Sequence, residues 1–210
     1  KNVDGISFNH KGEIITTKEK EPVKNLDSLP YPAYHLLHSL KPYHTGVLEP
    51  PFALIQTTRG CPFQCTFCAY SQTGYRARSV RNVIDEIKYL KERFKIKSFL
   101  FFDDTLSLKK GRTEEIAKRI IEEKLSDLKW VACTRANLVN FDMLKLMRDA
   151  GMVEIAIGIE TGSHAIQKNI NKGVPLEDIE KVAEWCRKLN ILFYALLIIC
   201  LLYTSDAADE

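Results

Sequence analysis

The stretch Phe52-Ala-Leu-Ile-Gln-Thr-Thr-Arg-Gly-Cys-Pro-Phe-Gln-Cys-Thr-Phe-Cys-Ala-Tyr70 runs from a short apolar segment straight into three closely spaced cysteines. Phe52 to Thr57 reads as a buried strand, and the cysteine loop follows it directly. Cys61, Cys65 and Cys68 stand in a CxxxCxxC spacing, with Phe67 just before the last of them. Three thiolates this close together suit three irons of a cubane cluster, and such clusters normally take four cysteines. With three, one iron keeps an open position, as catalytic zinc sites do.

Beyond this loop, apolar segments alternate in type. Ser79 to Phe94 carries Val80, Val83, Ile84, Ile87, Leu90 and Phe94 at helical spacing, with Ser79 as N-cap. Ser98 to Phe102 is a predicted strand ending in Asp103-Asp104. Thr113 to Leu125 is a helix, and Lys129 to Thr134 a strand ending at Arg135. Asp142 to Ala150 is a helix stopped by Gly151, and Val153 to Gly158 is a strand followed by Glu160. Pro175 to Leu189 is a helix and Ile191 to Ile199 a fifth strand. This alternation predicts parallel βα units. The cysteines, both aspartates, Arg135 and Glu160 all fall at carboxyl ends of strands, where a barrel or an open α/β sheet carries its chemistry.

Upstream, Val3 to Thr17 alternates around Asn9-His10-Lys11-Gly12, a hairpin pattern. Glu21 to Pro51 holds Pro22, Pro30, Pro32, Pro42, Pro50 and Pro51 and reads as a meandering connector. Its Leu26, Leu29, Tyr31, Tyr34, Leu36 and Leu37 are expected to pack on a domain surface. At the other end, Cys200-Leu-Leu-Tyr-Thr-Ser-Asp-Ala-Ala-Asp-Glu210 changes character abruptly. That string resembles the translation of a transposase sequencing adapter, so residues 200–210 are expected to be non-native.

The 210 residues are 45% hydrophobic and 27% charged, the composition of a globular chain. A net charge of +3 gives no case for nucleic acid as a partner. No apolar run is long enough to span a bilayer. Clustered cysteines without a secretory leader favour metal over disulfides and a cytoplasmic setting. Cys133 and Cys186 stand alone and read as buried small hydrophobes.

The cysteine loop after a first barrel strand resembles that of the radical S-adenosylmethionine enzymes, over roughly residues 52–199. Tyr75-Arg-Ala-Arg-Ser79, Phe102-Asp-Asp-Thr105, Trp130 to Arg135 and Gly158-Ile-Glu-Thr-Gly-Ser163 further resemble the group that carries an upstream cobalamin-binding domain. The resemblance implies an α/β fold, a partial parallel (β/α) barrel. Here it would be truncated after about four βα units and a fifth strand, and preceded over residues 1–51 by a hairpin and connector from a missing domain. As an isolated piece it would be poorly soluble or molten.

The same resemblance implies a [4Fe–4S] cluster on Cys61, Cys65 and Cys68, with S-adenosylmethionine chelated by the open iron and cleaved by one electron to a 5′-deoxyadenosyl radical. Phe67 would lie near the adenine. Asp103 or Asp104 would accept from the cofactor's ammonium, Arg135 would pair with its carboxylate, and Glu160 would bind a ribose hydroxyl. Cobalamin would be held outside this chain. The implied partners are a small-molecule or peptide substrate and a low-potential electron donor such as flavodoxin or ferredoxin. Methyl transfer, cyclisation, oxidation and methylthiolation are all open as the net reaction.

Other readings stand beside these. The three cysteines could hold structural zinc with His35, His38 or His44 as fourth ligand. Asp103 or Asp104 could cap the next helix. Arg135 and Glu160 could pair with each other, and Tyr75, Arg76 and Arg78 could form a solvated loop or meet substrate. An iron–sulfur electron carrier and a zinc-bound interaction module are the alternatives to an enzyme.

Overall fold

The computed structural model describes residues 3–43, 45–199 and 201. His44 and all but one residue of the adapter-like tail therefore lie outside the described residues. The expected hairpin is present: β1 (Ser7–His10) pairs antiparallel with β2 (Glu13–Thr16). Its turn works because Lys11 and Gly12 both take positive φ, and the Asn9 side chain accepts from the Gly12 N–H.

The connector has two single turns of 3-10 helix, Leu26–Ser28 and Tyr34–Leu36. Leu26 and Tyr34 are buried as expected, and the Tyr34 hydroxyl donates to the Leu54 carbonyl and to Glu86. Leu36 is not an anchor: it is 75% exposed. Leu40 and Leu48 bury instead. Proline-interrupted chain has no periodicity, so sequence alone cannot tell which of its apolar side chains face inward.

The centre of the molecule is one sheet of five parallel strands in sequence order. These are β3 (Phe52–Ile55), β6 (Ser98–Phe101), β7 (Lys129–Thr134), β8 (Met152–Glu160) and β9 (Leu192–Leu197). Each strand pairs with the next in register, with irregularities at Trp130/Val131 and Gly158/Glu160. Parallel neighbours need a crossover. The crossovers are α1 (Val80–Phe94), α2 (Lys110–Glu122), α3 (Phe141–Asp149) and, before β9, α5 (Leu176–Leu189).

The helices cover one sheet face. Ile55, Phe99, Phe101, Trp130, Ile155 and Ile157 point into that layer and are at most 1% exposed. They meet Val83, Ile87, Ile116, Ile120, Met143 and Val182 from the helices. Phe99 stacks on Trp130 and Phe101 meets both edge-on. Period-two alternation sends Leu100, Val131, Cys133, Glu154, Ala156, Tyr194 and Leu196 to the other face. There they line a cavity of about 400 Å³, closed on one side by the turn Thr45–Leu48. No described helix is long and apolar enough to cross a membrane.

Helix ends follow their capping residues. Ser79 caps α1 by accepting from the Asn82 N–H, as the sequence predicts, and Lys95 ends it in the left-handed region. α2 begins three residues before its predicted start and stops at Glu122; Lys124 then adopts positive φ, and Leu125 buries from the following turn. Periodicity saw Leu125's burial but not the chain reversal. Gly151 ends α3 at φ +103, where a Cβ would lie 2.4 Å from the Leu128 carbonyl. Only glycine fits there.

Candidate functional site

The cysteine loop leaves the sheet through a small clamp. β4 (Thr58–Arg59) pairs antiparallel with β5 (Arg76–Ala77), so residues 60–75 form a pinned excursion at the carboxyl end of β3. Gly60, φ +87, turns the chain into it, and a Cβ there would meet the Gly74 carbonyl at 2.4 Å. Inside the loop, the Cys61 N–H donates to Thr73 Oγ1, Cys68 N–H to the Cys65 carbonyl, and Gln72 N–H to the Phe63 carbonyl. No sequence pattern announces β4 and β5, because two-residue strands have no period.

The paired aspartates divide their work. Asp103 is buried: its Oδ1 accepts from the backbone N–H groups of Thr57 (2.7 Å) and Thr58 (2.6 Å), and its Oδ2 accepts from the Thr57 hydroxyl (2.8 Å). That hydroxyl accepts in turn from Arg112 Nη1 at 3.1 Å. Burial pushes the Asp103 carboxyl above its ordinary value, while the Thr57 and Thr58 hydrogen bonds work the other way. Every oxygen of Asp103 is thus engaged in holding the start of the loop. Asp104 is half-buried and uses only Oδ2 in a described bond, from the Gly60 N–H at 3.2 Å. Neither aspartate caps a helix, since Thr105 and Lys109 occupy the next two N-cap positions.

Arg135 and Glu160 do not pair with each other. Arg135 is 6% exposed and lies with its guanidinium 3.8 Å from the centre of the Phe63 ring. Its Nη1 donates to Cys65 Sγ at 3.4 Å and its Nη2 to the Lys172 carbonyl. Each Nη thus has one acceptor, and Nε is buried with no partner among the described residues. Glu160, at φ +65 on the end of β8, pairs with the Lys172 ammonium at 2.7 Å, both side chains nearly buried. Gly158 makes room for this pair: a Cβ would sit 2.5 Å from Glu160 Oε1 and 2.7 Å from Lys172 Nζ. Lys172 Nζ also lies 5.9 Å from the centre of the Phe67 ring, which is partly exposed.

Lys172 is the residue that sequence reading missed. It follows α4 (His164–Asn169), a short helix capped by Ser163 that was not predicted either. The segment after α4 docks on the cysteine loop: Thr66 N–H donates to the Ile170 carbonyl, and the Asn171 amide donates to the Gln64 carbonyl. The serine cap with an apolar residue three positions later was the available signal. Of the loop residues left open, Arg78 forms a buried pair with Glu86 at 2.5 Å. Arg76 donates to the Val23 carbonyl of the connector.

Three thiols on one loop, with a guanidinium on the buried one, form a soft donor set that suits an iron–sulfur cluster. Among the described residues, no three His, Cys, Asp or Glu side chains converge where a single ion would sit. A cubane does not require that, because each thiolate takes a different iron. His35 and His38 are both exposed.

The five cysteines in the described residues are free thiols. Burial pushes the Cys186 thiol up to about 11 and raises Cys133 as well. Alkylation of the metal-free protein at about pH 8 is expected to modify the partly exposed Cys61 and Cys68 first. Cys186 should react only after denaturant is added. Peptide mass mapping reads the order, and early labelling of Cys186 would contradict its burial.

Comparison with known proteins bears on the family and the fold. A sequence profile of the Radical SAM superfamily matches residues 55–208. An uncharacterized methyltransferase of Pyrococcus horikoshii is 37% identical over 186 residues, covering 87% of this chain and 40% of the relative. The anaerobic magnesium-protoporphyrin IX monomethyl ester cyclase of Cereibacter sphaeroides is 28% identical over 202 residues, covering 94% of this chain and 33% of the cyclase. The chain thus spans well under half the length of these relatives. The solved structure of OxsB, a cobalamin-dependent S-adenosylmethionine radical enzyme, superposes with a TM-score of 0.74 at 21% identity over 93% of this chain and 29% of that one. The fold is the partial barrel that OxsB shares, and the chain belongs to the radical S-adenosylmethionine superfamily of enzymes.

Proposed function

We propose that this chain is the radical-generating part of a cobalamin-dependent radical S-adenosylmethionine enzyme acting on a small-molecule or peptide substrate. Methyl transfer is the net reaction favoured by the P. horikoshii relative, whose name describes a methyltransferase. The observation that carries the reading is the trio Cys61, Cys65 and Cys68 on the loop after the first barrel strand, with Arg135 donating to Cys65 Sγ.

In this reading the three thiolates hold a [4Fe–4S] cluster and leave one iron open. When bound, the cluster supplies the one electron that breaks a sulfonium C–S bond of S-adenosylmethionine, leaving methionine and a 5′-deoxyadenosyl radical. The surrounding side chains bind and orient. Asp104, with one oxygen lacking a described partner, accepts from the cofactor's ammonium. Asp103 is reassigned from that task to positioning the loop. Glu160 accepts from a ribose hydroxyl, and Lys172 holds it in place or meets the carboxylate. Phe67 offers its partly exposed ring to the adenine. Cobalamin would be bound by residues outside this chain, and a flavodoxin or ferredoxin would deliver the electron.

Anaerobic reconstitution of the intact protein with iron and sulfide, then reduction with S-adenosylmethionine present, tests the reading. The expected result is a brown protein that releases 5′-deoxyadenosine and methionine. A colourless protein carrying one zinc, with no deoxyadenosine, would overturn it.

A further inference from the structure

Among the described residues, Arg135 is a buried cation without a carboxylate partner. None of the ion pairs among the described residues includes it. Its contacts are the Cys65 sulfur, a backbone carbonyl and an aromatic face, and its Nε–H has no acceptor. Burying a charge in this way is unfavourable unless a negative group compensates it. Glu160, also at a strand end, is already held by Lys172. Among its described side-chain contacts, the Cys65 sulfur is the group that can carry a negative charge.

We propose that Arg135 is a positioning and redox-tuning residue for the cluster. Its guanidinium donates to the Cys65 thiolate, fixes that corner of the cluster, and compensates the negative charge that reduction adds. The proposal rests on the cluster reading of the three cysteines. Two features beyond the hydrogen bond support it. The ring of Phe63, from the same loop, packs on the guanidinium, so the fork and the loop hold each other's position. The Lys172 carbonyl fixes the second fork nitrogen, so the donor aimed at sulfur is preorganised.

Hydrogen bonds to cluster sulfurs and nearby charge are the protein's levers on cluster potential. A desolvated positive charge favours the more negative, reduced state. Arg135→Gln is therefore expected to disfavour reduction at least tenfold, about 59 mV more negative for a one-electron couple. Arg135→Lys, which keeps the charge but loses the fork, should recover part of the shift. Both variants should lose iron to a chelator faster than wild type.

The experiment is a reductive titration of the reconstituted intact protein, followed by electron paramagnetic resonance, with no S-adenosylmethionine added. Leaving out the cofactor separates this role from carboxylate binding, which would leave the cofactor-free potential unmoved. A negative shift in Arg135→Gln with partial recovery in Arg135→Lys supports the proposal. An unshifted potential in a cluster-bearing Arg135→Gln overturns it. If Arg135→Gln holds no cluster, Arg135→Lys decides alone: wild-type potential with wild-type chelator resistance overturns the proposal. A wild-type protein that assembles no cluster refutes the cluster reading itself.

Discussion

Asp103→Ala is expected to lower stability by about 3 kcal/mol or more and to strip the protein of most of its iron. The carboxylate serves three donors at once, the N–H groups of Thr57 and Thr58 and the Thr57 hydroxyl, all in buried surroundings. Each buried donor left without an acceptor costs about 1–3 kcal/mol. Water has little access to replace the lost oxygens, because Thr57 and Thr58 are at most 1% exposed. The Thr57 hydroxyl, which accepts from Arg112, would itself be left without the carboxylate it donates to. Against a total stability of roughly 5–15 kcal/mol, that loss is large.

The consequence for function follows from position. Thr58 opens β4, and Gly60 and Cys61 come directly after it. Freeing Thr57 and Thr58 frees the base of the cysteine loop. Asp103→Asn keeps the shape and one carbonyl oxygen for the two N–H donors, so about half of the loss is expected. Urea denaturation of the metal-free protein, with midpoint falling at constant slope, reads the stability. Iron per chain after reconstitution reads the loop. Unchanged values for both in Asp103→Ala would return Asp103 to the cofactor-binding set.

Trp130→Ala is expected to cost about 3–5 kcal/mol, the usual range for a large buried aromatic. Trp130 is 1% exposed and lies against Phe99 in a stacked pair at 6.1 Å and against Phe101 edge-on at 5.2 Å. Its Nε1–H donates to the Ala150 carbonyl at 2.9 Å, tying the end of α3 to β7. Removing the indole leaves a cavity between sheet and helices and an unpaired carbonyl. Trp130→Phe separates the two effects. It keeps most of the packing and loses the hydrogen bond, so about 1–2 kcal/mol is expected. Thermal or urea unfolding checks both, and equal losses in the two variants would mean that the aromatic packing contributes little.

The two variants probe different parts of the same design. The sheet and its helix layer form a rigid body whose stability is hydrophobic. The loop that carries the cysteines is held to that body by polar contacts from Asp103, Arg112 and the segment after α4. A defect in the first lowers stability everywhere. A defect in the second is expected to appear first as lost iron.

The sequence by itself determined the five parallel strands, the four long helices between them and the clustering of Cys61, Cys65 and Cys68 on one loop. Those features are local: periods of two and 3.6 residues, a serine cap at Ser79, and three thiols within eight residues. Tertiary structure alone decided the roles of the charged residues at the strand ends. Asp103 and Asp104 are neighbours in sequence and alike in chemistry. They differ only because one side chain turns into the gap beside Thr57 and the other toward Gly60. Glu160 found Lys172 instead of Arg135, and Arg135 found Cys65, seventy positions away. Pairings across such distances are set by which strand ends the sheet brings together. No periodicity in the chain encodes that, so the three-cysteine loop was legible in advance and the pairing of the charged residues beside it was not.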